Sequence, residues 1–188
     1  MKTAVIIHGS PTKKEYFTRK KPSQSNKHWL SWIQKELNLK GILAQTPEFP
    51  EPYKPVYEKW CSVFEQFKID ENTMLIGHSC GGGFLVRWLS ENKVKVGNVV
   101  LVAPWIDPNH YLKTNFFDFK IDPNLAKRTK KLIIFESNND FKEIQKSIDI
   151  LRTKLKGANF KKFKNMGHFI SSSMKTDKFP ELLKELIK

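Results

Sequence analysis

Cysteine is scarce in this sequence, and no hydrophobic segment is long. The two cysteines, Cys61 and Cys80, form neither a CxxC pair nor another metal-ligand spacing, so nothing supports a zinc site or a disulfide framework. The longest apolar runs, such as residues 99–104, are far too short to span a bilayer. The first nine residues lack the apolar length and the small-residue cleavage site of a signal peptide. We therefore expect a cytoplasmic protein with free thiols.

Acidic residues are also few: 19 aspartates and glutamates stand against 33 lysines and arginines, a formal net charge of +14. The basic residues concentrate in the segments 13–27 and 152–164, which could form a surface for nucleic acid or an anionic membrane. Lysines far outnumber arginines, and no nucleic-acid recognition motif accompanies them. We expect no specific nucleic-acid partner and no membrane association, and we interpret most of these lysines as solvated surface. An alternative use, attraction of an anionic ester to a cleft, concerns Lys13, Lys14, Lys20 and Lys21.

A chain of this length is most simply one domain, residues 1–188. Strand-like and helix-like segments alternate along it, and the strand-like ones are short and nearly continuous in apolar character. Such runs are typical of parallel strands that are covered on both faces. We predict an α/β fold with a parallel sheet and helices on both faces. The predicted strands are residues 3–8, 42–46, 73–77, 98–104, 131–137 and 159–163.

The segment from Gly77 to Gly81, "GHSCG", fits the G-x-S-x-G pattern of a nucleophile elbow and stands between a predicted strand and a predicted helix. In such an elbow the serine is held on a strained turn, and glycines stand where a side chain would strike the backbone. A phosphate loop is the other interpretation of a glycine-rich turn, but it requires a lysine after the glycines. This chain has none there. We therefore predict that Ser79 is a nucleophile and that Gly77 and Gly81 are the elbow glycines.

A serine nucleophile needs a base and a group that orients the base, and in this fold they follow in the order Ser, Asp or Glu, His. His168 follows the last predicted strand and is the only histidine beyond residue 110, so we predict that it is the base. Asp140, in the turn after the fifth predicted strand, is the first candidate for the acid. It could also act as the N-cap of the next helix. Asp107, after the fourth strand, is the second candidate, because some hydrolases place their acid there.

The oxyanion that forms during acyl transfer is stabilised by backbone N–H groups, one of which belongs to the residue after the nucleophile. We predict that the N–H groups of Cys80 and of Ser10, in the turn after the first strand, have this role. The loop 105–125 is too apolar for a free surface loop. We expect it to form a small roof over the site together with the basic insertion 11–27. The pocket side chains predicted from this loop are Trp105, Phe116 and Phe117.

With these residues identified, the chain resembles the small α/β-hydrolases of the retinoblastoma-binding-protein-9-like, YdeN-type serine hydrolase family. The similarity covers nearly the whole length, through "IGHSCGG" and "LVAPW" to "MGHF" before the last helix. The resemblance implies a six-stranded parallel sheet of order 2-1-3-4-5-6 without a large cap. It also implies a catalytic triad of Ser79, Asp140 and His168.

The sequence therefore predicts a serine hydrolase that cleaves small-molecule esters or amides through an acyl-enzyme intermediate. This chemistry needs no metal and no organic cofactor. The alternative is a non-catalytic binding protein on a hydrolase scaffold, whose basic surface docks nucleic acid or an acidic partner. Binding does not need a complete triad, so the presence of one favours the enzyme. The oligomeric state does not follow from the sequence, and our expectation is a monomer.

Overall fold

The computed structural model, which describes all 188 residues, has a six-stranded, all-parallel sheet of strand order 2-1-3-4-5-6 at its centre. The α/β class and the strand order implied by the family resemblance are therefore confirmed. Each strand begins and ends within two residues of its predicted bounds. The strands are β1 (Thr3–Ile7), β2 (Leu43–Gln45), β3 (Thr73–His78), β4 (Val96–Val102), β5 (Thr129–Ser137) and β6 (Asn159–Phe163).

Seven α-helices lie between the strands or close the chain, and none is long and apolar enough to cross a membrane. The first of them is a single turn that the sequence pattern did not predict, because none of its residues is buried. It is held by a capping box between Thr12 and Glu15. The helices are α1 (Lys13–Tyr16), α2 (Leu30–Leu39), α3 (Tyr57–Phe64), α4 (Cys80–Asn92), α5 (Lys142–Lys154), α6 (Ser171–Met174) and α7 (Pro180–Ile187).

The core surrounds the central strands of the sheet, whose apolar runs explain their burial. All six residues of β3 are buried, and so is the segment Ala4–Ile7 of β1. Helices α2 and α7 pack against each other beside β1 and β4, whereas α4 packs on β3. β6 lies at the edge of the sheet, and no residue of it is fully buried.

The parallel arrangement determines where a site can form. Because all six strands run in one direction, the loops that follow β1, β3, β5 and β6 meet at the same edge of the sheet. In open α/β sheets, ligands bind beyond this carboxyl edge. The side chains predicted to carry the chemistry all lie in these loops.

Candidate active site

Ser79 lies between β3 and α4 in a backbone conformation that L-residues rarely adopt, with φ 53° and ψ −119°. Such a conformation costs about 1–3 kcal/mol and persists only where the surrounding structure fixes it. Here the Ser79 N–H donates to the Val102 carbonyl oxygen at 2.9 Å. The Ser79 carbonyl oxygen accepts hydrogen bonds from Trp105 N at 3.0 Å and from Gly83 N at 3.1 Å. These bonds hold the turn between the end of β4 and the first turn of α4.

The glycines on either side of Ser79 stand where the backbone leaves no room for a side chain. A Cβ atom on Gly77 would lie 2.7 Å from the carbonyl oxygen of Gly81. A Cβ atom on Gly81 would lie 2.5 Å from the carbonyl oxygen of His8 and 2.6 Å from that of Ile7. All three distances are shorter than any unstrained contact of a carbon atom. The tight turn from β3 into α4, packed against the end of β1, therefore requires glycine at both positions.

The structure brings Ser79, His168 and Asp140 together in one hydrogen-bonded line, although they come from three different loops. Ser79 Oγ lies 2.9 Å from His168 Nε2. His168 Nδ1 lies 2.9 Å from Oδ1 and 3.1 Å from Oδ2 of Asp140. The Asp140 carboxylate has no exposed surface, and the imidazole is only 13% exposed. An imidazole that donates its Nδ1 proton to a carboxylate presents a lone pair at Nε2, where it can accept the serine proton.

The turn that carries Asp140 is tied directly to the loop that carries His168. Ser137 Oγ accepts a hydrogen bond from the N–H of Met166 at 3.0 Å. The side-chain oxygens of Asn138 and Asn139 accept from the next loop in the same way, at 2.8 Å each, from the N–H groups of residues 165 and 167. Three consecutive side chains thus fix the two loops relative to each other. The sequence reasoning did not identify this function of the two asparagines.

Asp140 is not the N-cap of α5, so the alternative role predicted for it from the sequence is wrong. The N-cap position of α5 is Phe141, and no side chain caps that helix. Asp140 Oδ1 instead accepts a hydrogen bond from the Phe141 N–H at 2.7 Å. This bond orients the carboxylate towards His168.

Asp107, the second candidate for the acid, is bonded within its own loop. Its carboxylate oxygens accept hydrogen bonds from Tyr111 N and Leu112 N, each at 2.8 Å. The residue itself is buried and has a φ of 50°. Asp107 therefore closes the turn that follows β4 and makes no hydrogen bond to His168.

The two predicted oxyanion donors lie on either side of Ser79. Cys80 is the first residue of α4, where an α-helix leaves its N–H groups without an intrahelical acceptor. The N–H of Ser10 makes no hydrogen bond within the protein. A Cβ atom on the preceding Gly9 would lie 3.0 Å from Ser79 Cβ, which shows how closely the turn after β1 approaches the elbow. Burial raises the pKa of the Cys80 thiol to about 12, so at neutral pH this sulfur is not a thiolate.

Two buried histidines hold the backbone around this line of side chains. His78 Nε2 lies 2.9 Å from the carbonyl oxygen of His168, to which it donates. His8 Nε2 accepts from the Phe49 N–H at 2.9 Å, so its proton is on Nδ1, which donates to the Gly9 carbonyl oxygen at 2.9 Å. Burial lowers the pKa of His8, and it lowers the pKa of His78 well below its ordinary value. Both rings are therefore neutral near pH 7.

We expect the free energy of unfolding to fall as the pH is lowered below about 6.5, the pKa of a histidine in the unfolded chain. The unfolded state then binds protons at positions 8 and 78, whereas the folded state excludes them. Stability from these residues is thus complete above pH 6.5 and is lost below it, by about 1.4 kcal/mol per pH unit for each excluded proton. Urea denaturation between pH 7.5 and 5.5 measures this slope.

The controls for this experiment are two histidine substitutions. His78→Gln can keep the hydrogen bond to the His168 carbonyl and should reduce the slope by about one proton. His110→Gln is the matched substitution at an exposed position. A free energy of unfolding that stays constant between pH 6.5 and 5.5 would contradict the assignment of buried neutral rings.

Two cavities open on Ser79 and His168. The larger, of about 510 Å³, lies on the side of the basic insertion 11–27 and has mainly polar walls. The smaller, of about 240 Å³, lies on the side of the loop 105–125. Both segments expected to form a roof therefore contribute to the walls of the site. The aromatic and aliphatic side chains of the smaller cavity are Trp105, Tyr111, Phe141 and Ile144.

Phe116 and Phe117, which were predicted as pocket residues together with Trp105, line neither of these two cavities. Phe116 is fully buried and packs at 4.9 Å, between ring centroids, against Trp60. Phe117 packs on Trp105, with the centroids 5.4 Å apart. The apolar character of the loop thus anchors it to the core. The apolar side chains of the smaller cavity that the sequence reasoning missed are Tyr111 and Phe141, which are 59% and 61% exposed, and the buried Ile144.

This chain is similar in sequence to a family of known proteins. A family model described as serine hydrolase matches residues 21–187. The Bacillus subtilis protein YdeN, provisionally described as a hydrolase, is 30% identical over 96 residues. That match covers 49% of this chain and 50% of YdeN, so the aligned part spans about half the length of this curated relative.

Solved structures match over the whole fold. The crystal structure of the ydeN gene product of B. subtilis has a TM-score of 0.82 at 23% identity, covering 100% of this chain and 97% of that one. Est1E of Butyrivibrio proteoclasticus has a TM-score of 0.64 at 16% identity, covering 99% and 86%. A monoacylglycerol lipase of Paleococcus ferrophilus has a TM-score of 0.65 at 14% identity, covering 98% and 93%. At these identities the matches establish the fold alone.

Proposed function

Because this chain belongs to the serine hydrolase family, we propose that it cleaves small esters or amides through an acyl-enzyme on Ser79. The observation that carries the proposal is the hydrogen-bonded line from Asp140 through His168 to Ser79, with 2.9 Å at each step. A nucleophile within hydrogen-bond reach of a base, which is itself oriented by a buried acid, is the arrangement that activates a serine. The strained turn at Ser79 supports the same role, since strain of this kind is concentrated at functional sites.

In the proposed acylation step, Ser79 Oγ attacks the carbonyl carbon of the substrate while His168 Nε2 takes its proton. The Asp140 carboxylate stabilises the imidazolium that forms. The N–H groups of Ser10 and Cys80 donate hydrogen bonds to the oxyanion, and the N-terminal end of the 13-residue helix α4 adds a favourable dipole. The imidazolium then protonates the leaving oxygen or nitrogen, the bond to the carbonyl carbon breaks, and the acyl group remains on Ser79.

Deacylation is the reverse chemistry with water as the nucleophile. His168 takes a proton from the water molecule as its oxygen attacks the acyl carbon, and the same N–H groups bind the second oxyanion. The proton then returns to Ser79 Oγ as the ester bond to the enzyme breaks. A carboxylic acid leaves, and the serine and the neutral imidazole are restored.

The experiment that tests the proposal is to trap the acyl-enzyme. We expect that rapid acid quenching of a reaction with 4-nitrophenyl butyrate leaves one butyryl group on the peptide that contains Ser79, detected by mass spectrometry. The initial release of nitrophenol should approach one equivalent per enzyme if deacylation is the slower step. Because 33 basic residues offer other amines and guanidines, urea-unfolded protein is the control for non-specific acylation. Butyrylation of lysine or cysteine peptides alone, in folded protein that hydrolyses the ester, would contradict the proposal.

We also propose that the protein works in a reducing compartment such as the cytoplasm. Both cysteines are free, Cys80 buried and Cys61 half-buried. Free thiols are typical of proteins that are not exposed to an oxidising environment.

A further inference from the structure

The nucleophile lies between two cavities of different chemistry. In the larger cavity the aliphatic side chains are Leu30 and Ile170, and most of the remaining walls carry hydroxyl, amide, imidazole or charged groups. The smaller cavity is half aromatic and aliphatic. A substrate whose scissile carbonyl lies at Ser79 would therefore extend in one direction into polar surroundings and in the other onto apolar side chains.

The charges of the larger cavity leave one cation without a partner. Lys21 Nζ forms an ion pair with Glu15 at 3.0 Å, and the Thr12 N–H together with this ammonium holds the pKa of Glu15 at about 2. Asp177 is exposed at the rim, where its carboxylate accepts a hydrogen bond from the Ser171 hydroxyl. Lys27 is half-buried and lines the cavity. The Glu15 and Glu48 carboxylates act on its ammonium through space, but neither is close enough for an ion pair or a hydrogen bond. A half-buried ammonium group that lines a cavity and has no hydrogen-bond acceptor in the protein can bind an anion there.

The neighbouring His28 is half-buried and also lines the larger cavity. Its Nδ1 lies 2.9 Å from the Ser171 hydroxyl oxygen and 3.2 Å from the Ser171 backbone nitrogen. These contacts hold the ring on the loop that follows His168. Burial and the adjacent Lys27 ammonium lower the pKa of His28, which keeps the ring neutral near pH 7. Lys27 is therefore the cation on this side of the cavity that remains available to a ligand.

We propose that the Lys27 ammonium binds a carboxylate of the substrate in the larger cavity, while a small apolar or aromatic group occupies the smaller cavity. The inference rests on the proposed function, because it assigns the substrate class of the same site. A carboxylate can accept hydrogen bonds from the ammonium, and hydrogen bonds between charged groups are the strongest of their kind. The preferred substrates are thus esters or amides with a free carboxylate on one side of the scissile bond.

The test uses two pairs of esters that differ only by carboxylate or carboxamide. One pair has the group on the acyl side, as the 4-nitrophenyl monoester of adipate and its carboxamide. The other has it on the alcohol side, as the butyrate esters of 4-hydroxybenzoate and 4-hydroxybenzamide. In one of the two pairs we expect kcat/KM, corrected for spontaneous hydrolysis, to favour the carboxylate by about 10-fold, the effect of one charge-assisted hydrogen bond.

Two variants assign this preference to Lys27. Lys27→Met should reduce the carboxylate-to-carboxamide ratio several-fold. Lys21→Met is the matched control: it removes a lysine from the same cavity, but one already paired with Glu15, and should keep the ratio.

The outcomes separate this inference from the proposed function. Equal kcat/KM within both pairs, or a ratio that Lys27→Met leaves unchanged, overturns the carboxylate site while ester hydrolysis stands. Preference for the 4-nitrophenyl ester of 6-aminohexanoate over the adipate monoester also overturns it, because Asp177 would then be the recognising group. If no ester is hydrolysed, ester cleavage as part of the proposed function fails. Calorimetric titration of Ser79→Ala protein with the hydroxybenzoate and hydroxybenzamide esters then tests the carboxylate site by binding alone. Tighter binding of the carboxylate that depends on Lys27 supports the site, and equal binding overturns it.

Discussion

Replacing Ser79 by alanine is expected to lower kcat on an activated ester by about 10³-fold or more while leaving the fold intact. The substitution removes the proposed nucleophile, and the only hydrogen bond of the side chain is the one to His168 Nε2. The backbone bonds that hold the turn do not involve the hydroxyl, and alanine is no more strained at a φ of 53° than serine. Steady-state kinetics and the thermal unfolding midpoint measure the two effects.

Labelling with a fluorophosphonate probe identifies the reacting atom in the same protein. We expect stoichiometric labelling of the wild type and of Ser172→Ala, an exposed serine in α6, and no labelling of Ser79→Ala. The Cys80 thiol is present in all three proteins. Because burial raises its pKa to about 12, it should not react. Undiminished labelling of Ser79→Ala would mean that another residue is the nucleophile.

The sheet could be predicted from the sequence because its central strands are fully covered. β3 and the apolar part of β1 consist of consecutive buried residues, so their hydrophobic runs carry the signal directly. The one-turn helices α1 and α6 bury no residue, and no periodicity marks them. Their positions depend on local hydrogen bonds, such as the capping box of Thr12 and Glu15.

The candidate nucleophile and base could be predicted because motif spacing and chain order leave one residue for each role. The sequence did not restrict the acid to one residue. Asp107 and Asp140 both follow strands at the same edge of the sheet. What separates them is the local backbone: Asp107, at a φ of 50°, turns its carboxylate to its own loop. Asn138 and Asn139 instead tie the Asp140 turn to the loop of His168. Such conformations are set by tertiary contacts that one sequence does not encode in a simple pattern.

The cavities were the least predictable part of the site. Hydrophobicity indicates that a side chain is buried, but it does not indicate in which part of the core, so the buried Phe116 could not be distinguished from a pocket residue. In the same way, the basic insertion shows a run of positive charge without showing which lysine is paired. The pairing of Lys21 with Glu15, which leaves Lys27 free, follows from the fold of α1 and the turn after it.

Asp140→Asn is expected to lower kcat by about 10²- to 10⁴-fold while the protein stays folded. The side-chain oxygen of an asparagine can still accept the hydrogen bond of the Phe141 N–H, which Asp140 Oδ1 accepts at 2.7 Å. The amide nitrogen then takes the position of Oδ2, which lies 3.1 Å from His168 Nδ1, so a donor replaces one of the two acceptors of this nitrogen. The negative charge that stabilises the imidazolium is also lost. Both changes favour the tautomer that has its lone pair at Nδ1 and its proton at Nε2, towards Ser79 Oγ. In this tautomer His168 cannot take the serine proton.

Asp107→Asn is the matched control, because it makes the same chemical change on a buried acid of the same edge of the sheet. Its amide can keep only one of the hydrogen bonds from Tyr111 and Leu112, so we expect a loss of about 1–3 kcal/mol in unfolding free energy. The value of kcat should stay within about three-fold of the wild type, because no hydrogen bond joins Asp107 to His168. A three-fold change in kcat is well below the tenfold change that corresponds to about 1.4 kcal/mol of activation free energy. Kinetics of both variants, measured well below their unfolding midpoints, give the ranking. If Asp107→Asn lost activity and Asp140→Asn kept it, the acid that orients His168 would have to come from the loop after β4, and the hydrogen-bonded line would not be the catalytic one.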